Sequence, residues 1–426
     1  VSTSLASPTL NASATHDGDN IYSVSLSRSD NAYSQYADSS NGRSVGSAID
    51  KMGNNAAPEL QSLIAALDFS AADGSTIRAA LPVLSSEAYA SAGGVLVNAS
   101  GATRSAINNR LQQAFGGTPA APVSVMGYAP TARPKLVTDA MTAMVSPALI
   151  QDDFNRYAAW GAAYGSWSNQ SADGNAGRTK STLGGFSTGI DAAVYDNWRL
   201  GMMAGYSRST FKTASRNSSG SSDNYTLGIY GGTEWAAAAG SVGLRTGLAY
   251  SWHNLEMGRS LAFNGFSDSL SADYNAGTFQ IFGELGYKLN VSSRATIEPY
   301  ANLAYVHLKT DGFTEKGSNG AALSVQSDSM DATLTTLGFR ASTSFELGNI
   351  VTTARADLGW RHGFGDVIPS STASFATGSD MFTTVGNSIG KDTALVEAGL
   401  DFAVSQNATL GVAYQGKFGS KLTQNG

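Results

Sequence analysis

The sequence predicts an all-β membrane protein: an antiparallel up-and-down transmembrane β-barrel preceded by an α-helical leader. Three observations predict it. Apolar residues alternate with small or polar ones from Tyr157 onward, the connections alternate between short and long, and only 14% of 426 residues are charged while 48 are glycine. No run approaches the ~20 uninterrupted apolar residues of a spanning helix, so a membrane-embedded chain would cross as strands.

Taken in order, residues 1–70 are rich in Ser, Asn, Ala and Asp, with a β-like stretch at Ile21–Leu26 and helix-compatible text from Ser44 to Leu67. Over 74–114, Ile77, Leu81, Leu84, Tyr89, Val95, Leu96, Ile107 and Leu111 fall at helical spacing. The part after Gly93-Gly94 is the longest predicted helix, stopped at Phe115-Gly116-Gly117. A Pro/Ala-rich stretch at 117–134 predicts an irregular loop.

Eleven strand-like segments follow, near 157–167, 182–195, 198–211, 223–235, 240–254, 274–289, 295–309, 331–346, 350–364, 392–404 and 407–420. After the second, fourth, sixth, eighth and tenth, the turns are a few residues: Asp196-Asn197, Ala236–Ala239, Asn290–Arg294, Leu347–Asn349 and Ser405-Gln406. Longer polar loops, such as 256–272, 312–329 and 365–391, follow the odd-numbered strands, and a Ser/Gly stretch at 216–222 reads as a loop. Short turns at one rim and long loops at the other are the pattern of outer-membrane barrels.

The two faces sort chemically. On the fifth segment Val242, Leu244, Thr246, Leu248, Tyr250 and Trp252 suit lipid, whereas Gly243, Arg245, Gly247, Ala249, Ser251 and His253 suit a polar lumen. Charges of both signs fall on predicted inward faces: Asp191, Glu234, Arg245, Glu284, Arg340, Arg355, Asp357, Arg361, Glu397 and Asp401. A dry core would make each costly, so they predict a hydrated lumen lining. Trp167, Trp198, Trp235 and Trp252, near strand ends, fit interfacial girdles.

There is no cysteine, hence no disulfide framework or thiolate metal site. A net charge of -6 gives no basic footprint for nucleic acid. The four histidines, His16, His253, His307 and His362, have no metal-ligand spacing, and there is no GxSxG elbow, so neither a cofactor nor enzymatic turnover is expected. The chain begins at Val1 without a signal-peptide pattern, which predicts a processed or shortened form.

Several passages resemble the translocator domain of bacterial autotransporters, the type V secretion family. Leu81-Pro82-Val83-Leu84-Ser85-Ser86-Glu87-Ala88-Tyr89-Ala90-Ser91 resembles its linker segment, with Ser86 where Gly is common, and Asn41–Asp50 resembles the end of an exported passenger. Trp160-Gly161 with Gly165-Ser166-Trp167 resembles the first strand, and Phe279–Tyr287 the sixth. Gly359–His362 and Glu397–Asp401 through Tyr414–Gly419 resemble the last strands.

The resemblance implies twelve strands, a pore-threading helix, and an outer-membrane anchor that exports or displays its own passenger at the cell surface of a Gram-negative bacterium. Its implied partners are outer-membrane lipids, the barrel-assembly machinery and the passenger. Three regions follow: 1–75, a passenger remnant; 76–156, a linker with a pore helix at about 94–115; and 157–426, the barrel. The sequence ends at Gln424-Asn425-Gly426 without a twelfth period-2 segment, so an open edge between strands one and eleven is expected.

Two other functions remain open at this stage. One is a passive porin-like channel, against which the long helical leader argues. The other is self-cleavage at Asn108-Asn109, because some family members cut between two asparagines inside the barrel; the candidate assisting acids here are Asp191, Glu234, Glu284, Glu298 and Asp401.

Overall fold

The computed structural model describes residues 5–16, 18, 22–53, 56–115, 156–195, 197–405 and 408–426. The predicted irregular loop at 117–134, and the rest of 116–155, lie outside the described residues. A β-hairpin comes first, β1 (Leu10–His16) with β2 (Tyr22–Arg28), followed by α1 (Ser40–Met52), α2 (Gln61–Asp68), α3 (Ser75–Val83), α4 (Glu87–Ala99) and α5 (Gly101–Phe115). The Ser39 hydroxyl accepts from the Gly42 amide to cap α1, and Gly53 ends it with φ of 53°.

Among the described residues, twelve antiparallel strands close a barrel: β3 (Tyr157–Gln170), β4 (Thr179–Tyr195), β5 (Trp198–Thr213), β6 (Ser218–Ala237), β7 (Gly240–Phe263), β8 (Phe266–Asn290), β9 (Ala295–Thr310), β12 (Asp328–Leu347), β13 (Ile350–Gly365), β16 (Asp392–Ser405), β17 (Ala408–Gly419) and β18 (Leu422–Asn425). The long loops carry a second sheet, in the order β10 (Phe313–Thr314), β11 (Leu323–Val325), β14 (Ser370–Phe375) and β15 (Phe382–Val385).

The expected open edge is corrected. β18 pairs on one side with β17, Phe418 opposite Thr423, and on the other with β3, Gln170 opposite Leu422. Gly426 prolongs the ladder by exchanging backbone hydrogen bonds of 2.8 and 2.9 Å with Gln415. A four-residue strand is at the lower limit for reading an alternation, so the period-2 signal does not reveal it.

The loops predicted at 216–222 and 256–272 are also corrected. Both lie mostly in strands: β6 begins at Ser218 after a short turn through Arg216-Asn217, and β7 and β8 run on to a tight turn at Asn264-Gly265. Likewise 312–329 and 365–391 contain the second sheet rather than irregular chain alone.

The hairpin of β7 and β8 shows why these outer parts read as loops. From Val242 to Trp252 the outward residues are apolar and the inward ones small or polar; from Asn254 to Ser260 the order inverts, with Asn254, Glu256 and Ser260 outward and Leu255, Met257 and Leu261 buried. The lower half faces lipid outside and a polar lumen inside. The upper half faces water outside and an apolar core inside.

That core is shared. Val45 and Ile49 of α1, Leu60, Leu63 and Leu67 around α2, and Ile77 and Leu81 of α3 belong to one buried cluster with Leu261, Phe266, Leu270, Leu323, Phe375 and Phe382 of the barrel extensions. Residues from about Ala32 to Leu84 therefore form a helical cap over the long-loop rim. Asn264 at the hairpin tip donates to the carbonyl oxygens of Ala66 and Phe69 at 3.1 Å.

Candidate functional site: the helix-filled lumen

Below the cap, α4 and α5 run down the barrel. At 1.5 Å per residue their 13 and 15 residues give a combined length of roughly 40 Å, enough to pass from the long-loop rim to the short-turn rim. The helix predicted to begin at about 94 begins at Glu87, because Gly93 and Gly94 are helix-interior residues of close approach rather than a start signal. A Cβ on Gly94 would sit 3.3 Å from Pro369 and 3.5 Å from the Asn387 carbonyl oxygen. On the facing loop, a Cβ on Gly386 would lie 2.6 Å from the Ser91 backbone nitrogen.

At the upper end, buried charges hold the helix start. Glu87 accepts from the Gly177 amide at 2.6 Å and from Arg216 Nε at 2.7 Å. Burial pushes its carboxyl above the ordinary value, with Arg216 and the Gly177 amide pulling the other way. Arg259 forks onto Glu315 at 2.6 and 2.8 Å and donates its Nη1 to the Val83 and Ser85 carbonyl oxygens, tying down the C-terminus of α3. Tyr89 of α4 donates to the same Glu315.

Farther down, α5 is polar, as its lumen is. Arg110 makes a bidentate pair with Asp191 of β4, Nε to Oδ2 at 2.6 Å and Nη2 to Oδ1 at 2.8 Å. Arg199 bonds the same carboxylate, as does Tyr230 at 2.8 Å, whose hydroxyl accepts from Trp160 Nε1 at 2.6 Å. Asn108 donates to Glu284 Oε2 at 3.3 Å. Glu284 is gripped by Arg340 at 2.7 and 2.8 Å and by Arg245 at 3.1 Å.

Arg245 also reaches Glu298 at 2.5 Å, and Arg340 reaches Asp357 at 2.7 Å while lying over the Tyr300 ring. Asn109 donates to Glu397 at 3.5 Å; Arg355 bonds Glu397 and lies 3.1 Å from Asp401. At the foot, Lys288 donates to the Phe115 carbonyl oxygen at 2.8 Å and to Glu234 at 2.9 and 3.0 Å, placing a cation at the helix C-terminus. Gly232 gives the room: a Cβ there would lie 3.2 Å from Phe115 and 3.3 Å from Leu111.

Nine of the ten charged residues predicted to line the lumen thus lie in ion pairs there, and among the described residues Arg361 makes two 3.4 Å contacts, to Ile389 O and Thr393 Oγ1. Of the acids considered for self-cleavage, Glu284 is the one that Asn108 touches; Asp191 meets Arg110 instead, Glu298 meets Arg245, Glu234 meets Lys288 and Asp401 meets Arg355. His307 and His362 bond Asp331 and Asp392, and His253 sits between Asn224 and Thr278.

Sequence reasoning missed Arg110, Arg199, Lys288 and Tyr230, the groups that answer the acids. Arg110 alone carried a signal, one of two arginines on a helix that has no acidic residue to answer them. Among the described residues no group of His, Asp and Glu is placed to hold a metal ion.

Comparison with known proteins bears on the same part of the chain. Residues 159–415 match the family described as Autotransporter beta-domain. Two relatives, both described as extracellular serine protease from Serratia marcescens, are 35% and 32% identical over 267 residues, 63% of this chain and 25% of theirs. The chain therefore spans about a quarter of the length of these relatives. Among solved structures, the β domain of the Bordetella autotransporter BrkA has a TM-score of 0.45 at 20% identity, covering 63% of this chain and 96% of its own. The translocator domain of NalP from Neisseria meningitidis has 0.48 at 16%, covering 68% and 91%.

Proposed function

Because this chain belongs to the autotransporter β-domain family, its barrel is an outer-membrane translocator that carries its own passenger, and we propose that α4 and α5 are the linker that trails that passenger, retained as a plug. The region boundaries follow: residues 1–75 form the passenger's last stretch at the cell surface, 76–156 the linker, and 157–426 the barrel. The observation that carries this is the Arg110–Asp191 pair, a buried ionic link from the helix to the wall, backed by Lys288 at the foot and Glu87 at the head. The ten lumen charges serve as the hydrated track past which an extended chain slides and against which the final helix docks.

The test is planar-bilayer conductance. Deleting residues 95–115 should raise it sharply; unchanged conductance would remove the plug, whereas a wild-type chain already open would favour the porin-like reading. Barrel insertion would engage the barrel-assembly machinery, checked by loss of the folded form when that machinery is depleted. We assign no turnover to this chain; the protease name belongs to the relatives, of which this chain matches only a quarter.

A second reading rests on Asn108. Its side-chain nitrogen could attack its own carbonyl carbon, closing a succinimide and breaking the Asn108–Asn109 bond, with the proton passing by way of Glu284 to the Asn109 amine. Against it, α5 continues unbroken through both asparagines, and a helical backbone holds an asparagine amide away from its own carbonyl carbon. Mass spectrometry of the chain after prolonged membrane residence decides it: a fragment starting at Asn109 establishes cleavage, and an intact chain dismisses it.

A further inference from the structure

The lumen's charges do not balance locally. Three cations on its long-loop side, Arg104 of α5, Arg361 of β13 and Lys417 of β17, line one cavity of about 130 Å³. The acids that share this cavity are already answered: Glu284 by Arg340 and Arg245, Asp357 by Arg340, and Glu397 by Arg355 and Gln415. Among the described residues no carboxylate lies within ion-pairing distance of any of the three cations; Arg104 is opposed by Arg361, and Lys417 by both.

Their hydrogen bonding is incomplete in the same direction. Arg104 donates Nη1 to Gln280 at 2.6 Å and to Ser100 at 3.0 Å. Arg361, only 6% exposed, has its Nε buried without a partner. A Cβ on Gly101 would meet Lys417 Nζ at 3.1 Å and Arg104 Nη2 at 3.6 Å, so the two cations converge on the same glycine. A buried cation without a counter-charge is among the costliest arrangements in a protein, and three together call for an anion.

We propose that a small inorganic anion, between chloride and phosphate in size, binds among Arg104, Arg361 and Lys417 and ties α5 to β13 and β17. Two guanidinium groups and an ammonium suit either ion, the forks favouring an oxyanion. Because the anion bridges helix and wall, the plug is held by a dissociable ion as well as by fixed pairs. The site does not depend on how the helix came to be in the lumen, so it stands or falls separately from the export reading.

The experiment uses the purified full chain in detergent, exchanged into sodium gluconate, whose anion is bulky and weakly coordinating. Chloride and then phosphate are titrated at constant ionic strength while the thermal midpoint is read. A saturable rise of several degrees is expected, and the ion that saturates at lower concentration is the ligand. Lys417→Met should weaken the response at least tenfold and, with one repelling cation gone, should melt higher than wild type in gluconate.

Gly101→Asp, which tethers a carboxylate beside Lys417 and Arg104, should also melt higher in gluconate and lose the anion response, a gain that a misfolded variant would not show. A midpoint that does not saturate with either ion, or that responds equally in wild type and Lys417→Met, overturns the proposal.

Discussion

Replacing Asp191 by Asn removes the carboxylate that, among the described residues, faces both Arg110 of the helix and Arg199 of the wall. Their side chains are 5% and 13% exposed and that of Asp191 is fully buried, so neither cation gains water in exchange. Leaving a buried charge without its partner costs about 3–5 kcal/mol. Since Arg110 alone of the pair can leave with the helix, most of that cost falls on the docked state. At about 1.4 kcal/mol per decade, open time should rise by roughly two to three and a half decades.

Arg110→Leu should do less, about 1–3 kcal/mol, because Asp191 keeps Arg199 and Tyr230. The double variant should recover part of the single loss at Asp191. Single-channel recording in planar bilayers measures all three. If Asp191→Asn opens no more often than wild type while deletion of 95–115 opens fully, the ion pair is not what holds the helix and the reasoning fails.

Other expectations follow from the packing and the membrane. Gly386→Val places a side chain where a Cβ alone comes within 2.6 Å of the Ser91 nitrogen, so α4 should fail to seat and the heat-resistant compact band on semi-native gels should be lost at a temperature several degrees lower. Leu303, 55% exposed on the outward face of β9, should cost about 2–4 kcal/mol as Leu303→Arg in urea titrations in vesicles if it lies near the bilayer midplane, and little if it lies near an interface. Glu87 has a raised folded-state pKa, so its contribution is complete below the unfolded value of about 4.3 and is lost as pH rises through the folded value. Thermal midpoints should therefore fall more over that window in wild type than in Glu87→Gln; parallel curves would assign the pH dependence to other groups.

How much of this was legible in the sequence depended on length and on which solvent each face meets. The lower barrel was legible because Val242–Trp252 and its neighbours alternate over ten or more residues between lipid and lumen. The upper halves of β7 and β8 alternate too, but with polar residues outward and, Arg259 and Asp268 apart, apolar or small ones inward, and in a chain assumed to face lipid throughout that inversion reads as a polar loop. β18 has too few residues to carry a period. The charges were legible as inward-facing one strand at a time. Their pairing was not, because Arg245 with Glu298 and Arg340 with Glu284 each reach across an intervening strand and depend on the register of three strands at once.

The shared core above the rim has a consequence for the direction of assembly. Leu60, Leu63, Leu67, Ile77, Leu81 and Leu84 are fully buried in one cluster with Leu261, Phe266 and Leu270 of the barrel extensions. At roughly 1.5–3 kcal/mol for each such side chain, on the order of 10 kcal/mol is released only after those residues have emerged. A segment that slides back into the lumen forfeits that energy. On the export reading proposed above, the cap is a ratchet, converting burial at the surface into a bias against return.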